Sequence, residues 1–232
     1  MKAESLHSSH RTKGIPDMKH PFKASPCFGS INFASAAESL HRPILPDVPP
    51  NLSSIGCDVF IAIDAPNSFS EVPSGAYSAL FFDRSEQEFR ELPSNAFQVT
   101  FPQALSHRQF VDLATRAEQM LRYGFMHQGM VGLDVADLRD VFSGCKNKRL
   151  SLHIIDYDDL NDFTLARIEG LQFQNLFALL LAGIELGIDH YSAVGRALDG
   201  TLPTGVVCFT ANFGDSFYTE ATPSLLLIGE VV

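Results

Sequence analysis

Gly129-Met-Val-Gly-Leu-Asp134-Val-Ala-Asp137-Leu-Arg139-Asp-Val-Phe142 lies between a long amphipathic stretch and an alternating one, and its reading decides the rest of the chain. Val135, Leu138, Val141 and Phe142 recur at helical spacing, so a helix starts here. That helix would carry Asp134 and Asp137 on one side of its first turn. Free N–H groups and the helix dipole stabilise negative charge at that end. Two readings fit. Asp134 caps the helix and Asp137 is its first-turn anion, or the two carboxylates, held out by a glycine-containing loop, act on a ligand or partner. On spacing alone, capping is the simpler of the two.

Working upstream, Phe110, Leu113, Ala114, Ala117, Met120 and Leu121 recur at helical spacing from Ser106 onward. Arg116, Glu118 and Arg122 fall on the other faces. This predicts a helix of about 20 residues, ending near Gly124 or Gly129. Before it, Asp58 to Asp64, Ala79 to Asp83 and Phe97 to Phe101 are compact apolar or alternating runs and are predicted strands. Ser85 is placed to cap a short helix through Leu92, with Glu86 and Glu88 in its first turn. Residues 1 to about 54, rich in Ser, His and Pro, read as an arm or linker, with a short helix at Ile31 to Leu40.

Working downstream, Leu150, Leu152 and Ile154 alternate with Ser151 and His153, a strand with one buried face. Leu171 to Leu186 is apolar nearly all round and is predicted as a helix inside the core. A further helix at Tyr191 to Leu198 and strands at Gly205 to Thr210 and Leu225 to Val232 follow. Strands before, between and after helices define an α/β chain, a sheet with flanking helices. The chain divides at 1–54, 55–128 and 129–232.

The 232 residues are 45% hydrophobic and 19% charged, which is globular composition. The net charge of −10 argues against a nucleic-acid-binding body, since phosphate binding needs a basic face. No apolar stretch reaches the ~20 residues that cross a bilayer. Cys27, Cys57, Cys145 and Cys208 form no Cys-x-x-Cys pair, so neither a disulfide framework nor a zinc site is expected. With no secretory pattern at the amino terminus, a cytoplasmic chain with reduced thiols is expected.

A long helix, a glycine-containing loop and Asp-x-x-Asp-hydrophobic-Arg together resemble the FtsZ/tubulin filament GTPases. In that family the central helix runs into a loop reading roughly Gly-x-x-Asn-x-Asp-x-x-Asp-Val-Arg. Asp134 and Asp137 fall on its acidic positions, Arg139 on its arginine, Gly129 on its first glycine and Gly132 on its asparagine. The loop enters the nucleotide pocket of the neighbouring subunit, where its acids position the water that attacks the γ-phosphate. The resemblance therefore implies that Asp134 and Asp137 act in trans, while Gly129, Gly132 and Arg139 meet the partner. Val99 to Gly129 is similar to the family's strand, loop and central helix. Gly205 to Phe217 and Leu225 to Val232 look like strands of its activation domain, a second small α+β subdomain.

The family holds GTP in a glycine-rich loop near Gly-Gly-Gly-Thr-Gly-Thr-Gly, whose backbone N–H groups close around phosphate. After the strand at Asp58 to Asp64 this chain instead reads Ala65-Pro-Asn-Ser-Phe-Ser-Glu-Val-Pro73. Pro66 and Pro73 remove two donors and Glu71 adds repulsion. The expectation is a divergent, shortened member with no cofactor of its own, GTP being met only in a partner's pocket. Its partner would be an FtsZ/tubulin-like filament subunit or a second copy of itself, in cell division or a related cytoskeleton. A GTPase with an unrecognised phosphate loop and an unrelated α/β interaction module remain the alternatives. His7, His10 and His20 make a poor metal site, His153 and His190 read as packing or capping residues, and the acids from Asp156 to Asp162 read as a solvated turn.

Overall fold

In a computed structural model, the chain is described at residues 27–31, 45–46, 57–126, 135–157, 168, 170–183, 186–201, 206–213 and 223–232. Nine strands and three helices lie in these segments. The strands are β1 (Cys27–Ile31), β2 (Leu45–Pro46), β3 (Val59–Ile63), β4 (Ser78–Asp83), β5 (Ala96–Thr100), β6 (Arg149–Asp156), β7 (Phe173–Ala182), β8 (Val206–Phe213) and β9 (Ser224–Val231). The helices are α1 (His107–Met126), α2 (Val135–Ser143) and α3 (Ile188–Asp199). One mixed sheet runs β2-β1-β3-β4-β5-β6-β9-β7-β8. Strands β3 to β6 are parallel, β9 is antiparallel to β6 and β7, and β7 and β8 are parallel. The α/β class read from the sequence is the observed one.

Three apolar clusters hold the layers. On one face, α1 and α2 lie over Val59, Ile61, Leu80, Phe82, Val99, Leu152, Phe177, Leu179 and Ile228, so a single core spans both halves of the sheet. The opposite face has two separate covers. Phe69, Val72 and Leu92 pack over Phe60 and Phe81, and Val194, Ala197 and Leu198 of α3 pack over Leu176, Leu180, Leu225 and Leu227.

Helix α1 begins where its cap dictates. The Ser106 hydroxyl accepts the Gln109 N–H at 3.4 Å, and the Gln109 side chain accepts the Ser106 N–H at 3.1 Å, a reciprocal capping box. Near its end, a Cβ on Gly124 would meet Leu179 Cδ2 at 2.7 Å, so this glycine lets the helix approach β7 closely. At the sheet's centre a Cβ on Gly229 would meet the Asn175 carbonyl oxygen at 2.5 Å.

Three local expectations are corrected. Leu171 to Leu186, read as a core helix, contains strand β7 instead. Phe177, Leu179 and Leu181 face one core cluster, and Leu176, Ala178 and Leu180 face another. A strand buried on both faces is a continuous apolar run, and such a run has no period to distinguish it from a buried helix. The helix expected from Ser85 to Leu92 is a single turn, closed by Gln87 N–H on the Arg84 carbonyl at 3.0 Å. Beyond it Arg90 is drawn inward to Asp83, which holds the chain out of helical geometry. Within the stretch read as an arm, β1 pairs antiparallel with β3 from Cys27↔Ile63 to Ile31↔Val59. Ile31 is thus a strand residue, and the rest of the short helix expected at 31–40 lies outside the described residues.

Candidate functional site

Helix α2 carries the part of the acidic motif that lies within the described residues. Leu138, Val141 and Phe142 are buried and fix the helix against the sheet. The Phe142 ring meets Phe97 at 5.3 Å and Phe177 at 6.5 Å between centroids. Just beyond the helix, the buried Glu230 carboxylate accepts the N–H groups of Lys146 and Asn147, both at 3.1 Å. Packing on one side and this clamp at the far end orient α2. Its other side faces outward: Asp137 is half-buried in the first turn, and Arg139 and Asp140 are exposed. Arg139 lies 3.3 Å from Asp140. Gly129, Gly132 and Asp134 lie outside the described residues. Asp137 and Arg139 thus both lie near the start of one anchored helix, two residues apart and so not side by side.

The second region is the carboxyl end of the parallel strands, where open α/β sheets receive ligands. Here the Arg90 side chain is buried, with 1% of its surface exposed. Its Nη2 donates to Asp83 Oδ1 at 2.7 Å, and its Nε donates to Oδ2. The remaining N–H groups donate to main-chain carbonyls of the segment after β3: Pro66 at 2.6 Å, Phe69 at 2.8 Å, and Ala65. The guanidinium also lies over the Phe81 ring, 5.4 Å from its centroid. Gln98 Nε2 completes the group by donating to Asp83 Oδ2 at 2.9 Å. Burial pushes the Asp83 carboxyl up from its ordinary value, and hydrogen bonds and charge from Arg90 pull it back.

The polarity of that segment matters. An anion-binding loop points N–H groups inward. The loop after β3 points the carbonyls of Ala65, Pro66 and Phe69 inward, onto a cation the protein itself supplies. At its start Asp64 takes a left-handed conformation, φ 53°, which aspartate tolerates better than most residues. Its carboxylate lies 3.1 Å from Arg84 Nε and 3.4 Å from His107 Nδ1, tying β3 to the first residue of α1.

The sequence reading missed Arg90, Asp83 and Gln98. The available signal was an Asp at the end of an apolar strand and a Gln within another, positions where a buried polar group needs partners. Cys57 and Cys145 are free and buried. Burial, with Asp58 beside one and Glu230 beside the other, pushes each thiol up to about 11. Both stay protonated and unreactive near neutrality. Of the acids from Asp156 to Asp162, Asp156 ends β6, is paired with Arg116 and accepts the Ser224 hydroxyl at 2.7 Å. Among the described residues no helix is long and apolar enough to cross a membrane, and no His, Cys, Asp and Glu cluster forms a metal site.

No protein-family model matches the sequence, and no curated protein matches it. Solved structures do. The fold is similar to a tryptophan-to-tyrosine mutant of FtsZ from M. jannaschii at 13% identity and a TM-score of 0.48, over 67% of this chain and 57% of that one. It is similar to an empty FtsZ dimer from the same organism at 14% identity and 0.48, over 68% and 55%. It is similar to CetZ from Methanosaeta thermophila at 14% and 0.42, over 68% and 52%. The chain thus spans little more than half the length of the structures it matches.

Proposed function

We propose that this chain is a divergent, shortened FtsZ/tubulin-like protein that supplies the acidic-loop half of a shared site without holding nucleotide itself. It docks the segment from Gly129 to Arg139, which runs into α2, onto the nucleotide face of a filament-forming GTPase and modulates that filament, in cell division or a related cytoskeleton. Asp134 and Asp137 enter the partner's pocket, and Gly129, Gly132 and Arg139 meet its rim. GTP is contacted only there, and any contribution to hydrolysis is made in trans.

One observation supports this reading above the rest. The loop after β3 turns its carbonyls inward onto buried Arg90, the opposite polarity from a phosphate cradle. Helix α2, anchored by Phe142 and followed by the Glu230 clamp, holds Asp137 and Arg139 outward. The described elements follow the order β5, α1, α2, and the resemblance puts the acidic loop in the sequence between the two helices.

Co-sedimentation tests the reading. Purified chain is mixed with GTP-assembled FtsZ filaments and pelleted, wild type against Asp134→Ala and Asp137→Ala. The wild type is expected in the pellet and both variants in the supernatant. Wild type left in the supernatant, or variants pelleting equally, would sink the docking role.

A further inference from the structure

Strands β5 and β6 sit in the middle of the sheet, yet one of their faces is polar. Alternation along the strands separates the faces. Phe97, Val99, Leu150 and Leu152 point into the core beneath α1 and α2. Gln98, Thr100, Arg149 and Ser151 therefore share the other face. The register sets Gln98 opposite Arg149 and Thr100 opposite Ser151, so the four form a square. On either side of it the same face is apolar and covered, by Phe69, Val72 and Leu92 over β3 and β4 and by α3 over β7 and β9. Parallel strands at the centre of a sheet are normally covered on both faces by apolar contacts. A groove of about 620 Å³ is lined by three of the four, Thr100, Arg149 and Ser151.

Its lining combines a cation, hydroxyls and apolar walls. Thr100, Arg149 and Ser151 form the floor, with Phe89, Pro102 and Val231 around them. The Phe89 ring is 52% exposed, the state of an aromatic wall with one side unfilled. Arg149 Nη2 donates to the Ser85 carbonyl at 3.2 Å, which aims the guanidinium and leaves further N–H groups of its fork to bind. Glu230 also borders the groove. Alternation places it with Leu226 and Ile228 on the helix side, and its two oxygens are taken by the Lys146 and Asn147 N–H groups. Beside Arg149, the carboxamide oxygen of Gln98 is buried with no hydrogen-bond partner among the described residues. Its amide nitrogen already donates to Asp83 and to the Glu88 carbonyl, so this acceptor has room for a donor.

We propose that the groove over Thr100, Arg149 and Ser151 binds a small organic anion with a flat apolar body. The anionic group takes the Arg149 guanidinium and the Thr100 hydroxyl, beside Ser151, whose hydroxyl already meets His153 Nε2 at 3.1 Å, and the body lies against Phe89, Pro102 and Val231. The Thr100, Arg149 and Ser151 side chains lie on the face of the sheet opposite the one that α2 covers.

Fluorescence titration of the full chain tests this with two probes of one shape: anilinonaphthalene sulfonate and uncharged N-phenylnaphthylamine. The sulfonate should bind one saturable site, more tightly than the neutral probe. Arg149→Gln should weaken the sulfonate by about tenfold or more, the loss expected for a charge-assisted hydrogen bond, and leave the neutral probe unchanged. Phe89→Ala, a partly exposed position that is safe for folding, should weaken both. In amide NMR spectra the sulfonate should shift the Ser151 and Val231 signals. No saturable binding, equal affinity for the two probes, wild-type affinity in Arg149→Gln, or shifts confined to other regions would each overturn the proposal.

Discussion

At the carboxyl end of β3 and at the start of α2, the same chain uses polar residues in opposite ways. After β3, Arg90 and Asp83 are buried, and their groups are spent on each other, on Gln98 and on loop carbonyls. At α2, Leu138 and Phe142 hold the helix from below while Asp137, Arg139 and Asp140 face outward. A buried network that satisfies itself fixes structure and has little left for a ligand. Charges held outward on an anchored helix cost little to fold and remain able to meet a partner.

The largest expected effect comes from breaking the closed end. Arg90→Ala leaves a buried Asp83 carboxylate and three loop carbonyls without their donor. Removing one partner of a buried ion pair costs about 3–5 kcal/mol, and urea unfolding should show a loss in that range. A loss below about 1 kcal/mol, the scale of an exposed pair, would mean the loop is held by something else. Next in size is Gly229→Ala. Its Cβ would lie 2.5 Å from a main-chain oxygen that has little freedom to move. A cost of about 1–3 kcal/mol is expected for such overpacking, read in the same assay.

The open end should respond the other way. Asp137→Asn and Arg139→Gln should each change stability by less than about 0.5 kcal/mol, the usual range for surface positions, while filament pelleting falls. A loss of stability without a loss of pelleting would return Asp137 to the role of first-turn anion.

The smallest effect is one of pH. His153 is half-buried on β6, its Nε2 3.1 Å from the Ser151 hydroxyl and its ring against Phe173. Burial holds its pKa below the ordinary value. The unfolded chain therefore binds this proton more readily than the folded one. Its contribution is full above about pH 6.5 and is lost as pH falls toward the folded value. Wild type should lose more Tm between pH 7 and 5 than His153→Gln, and equal losses would contradict the assignment.

Much of this arrangement was legible in the sequence. The 3.6-residue period from Phe110 to Leu121 gave α1, and the alternation from Leu150 to Ile154 gave β6, because each element buries only one face. Strand β7 was misread for the opposite reason: buried on both faces, it carries no period. Strand β1 escaped because Cys27 to Ile31 is short and set among serines and prolines, and its pairing with β3 is a tertiary fact. The acidic motif was readable as residue types at a spacing. The Arg90 network was not, since it joins Ala65, Asp83, Arg90 and Gln98 across three separate segments. The polar square behaves likewise. Ser151 and His153 read as the other face of a half-buried strand, and only the β5–β6 register sets Ser151 and Arg149 beside Thr100 and Gln98.

The half-site claim stands or falls most directly on whether the isolated chain holds nucleotide. Calorimetric titration of GTP with magnesium into the purified protein should give no saturable binding up to about 1 mM, an affinity no tighter than about −4 kcal/mol. Saturable binding in the micromolar range, abolished by changes in the Ala65 to Phe69 loop, would contradict the account and make the chain a nucleotide-binding protein in its own right.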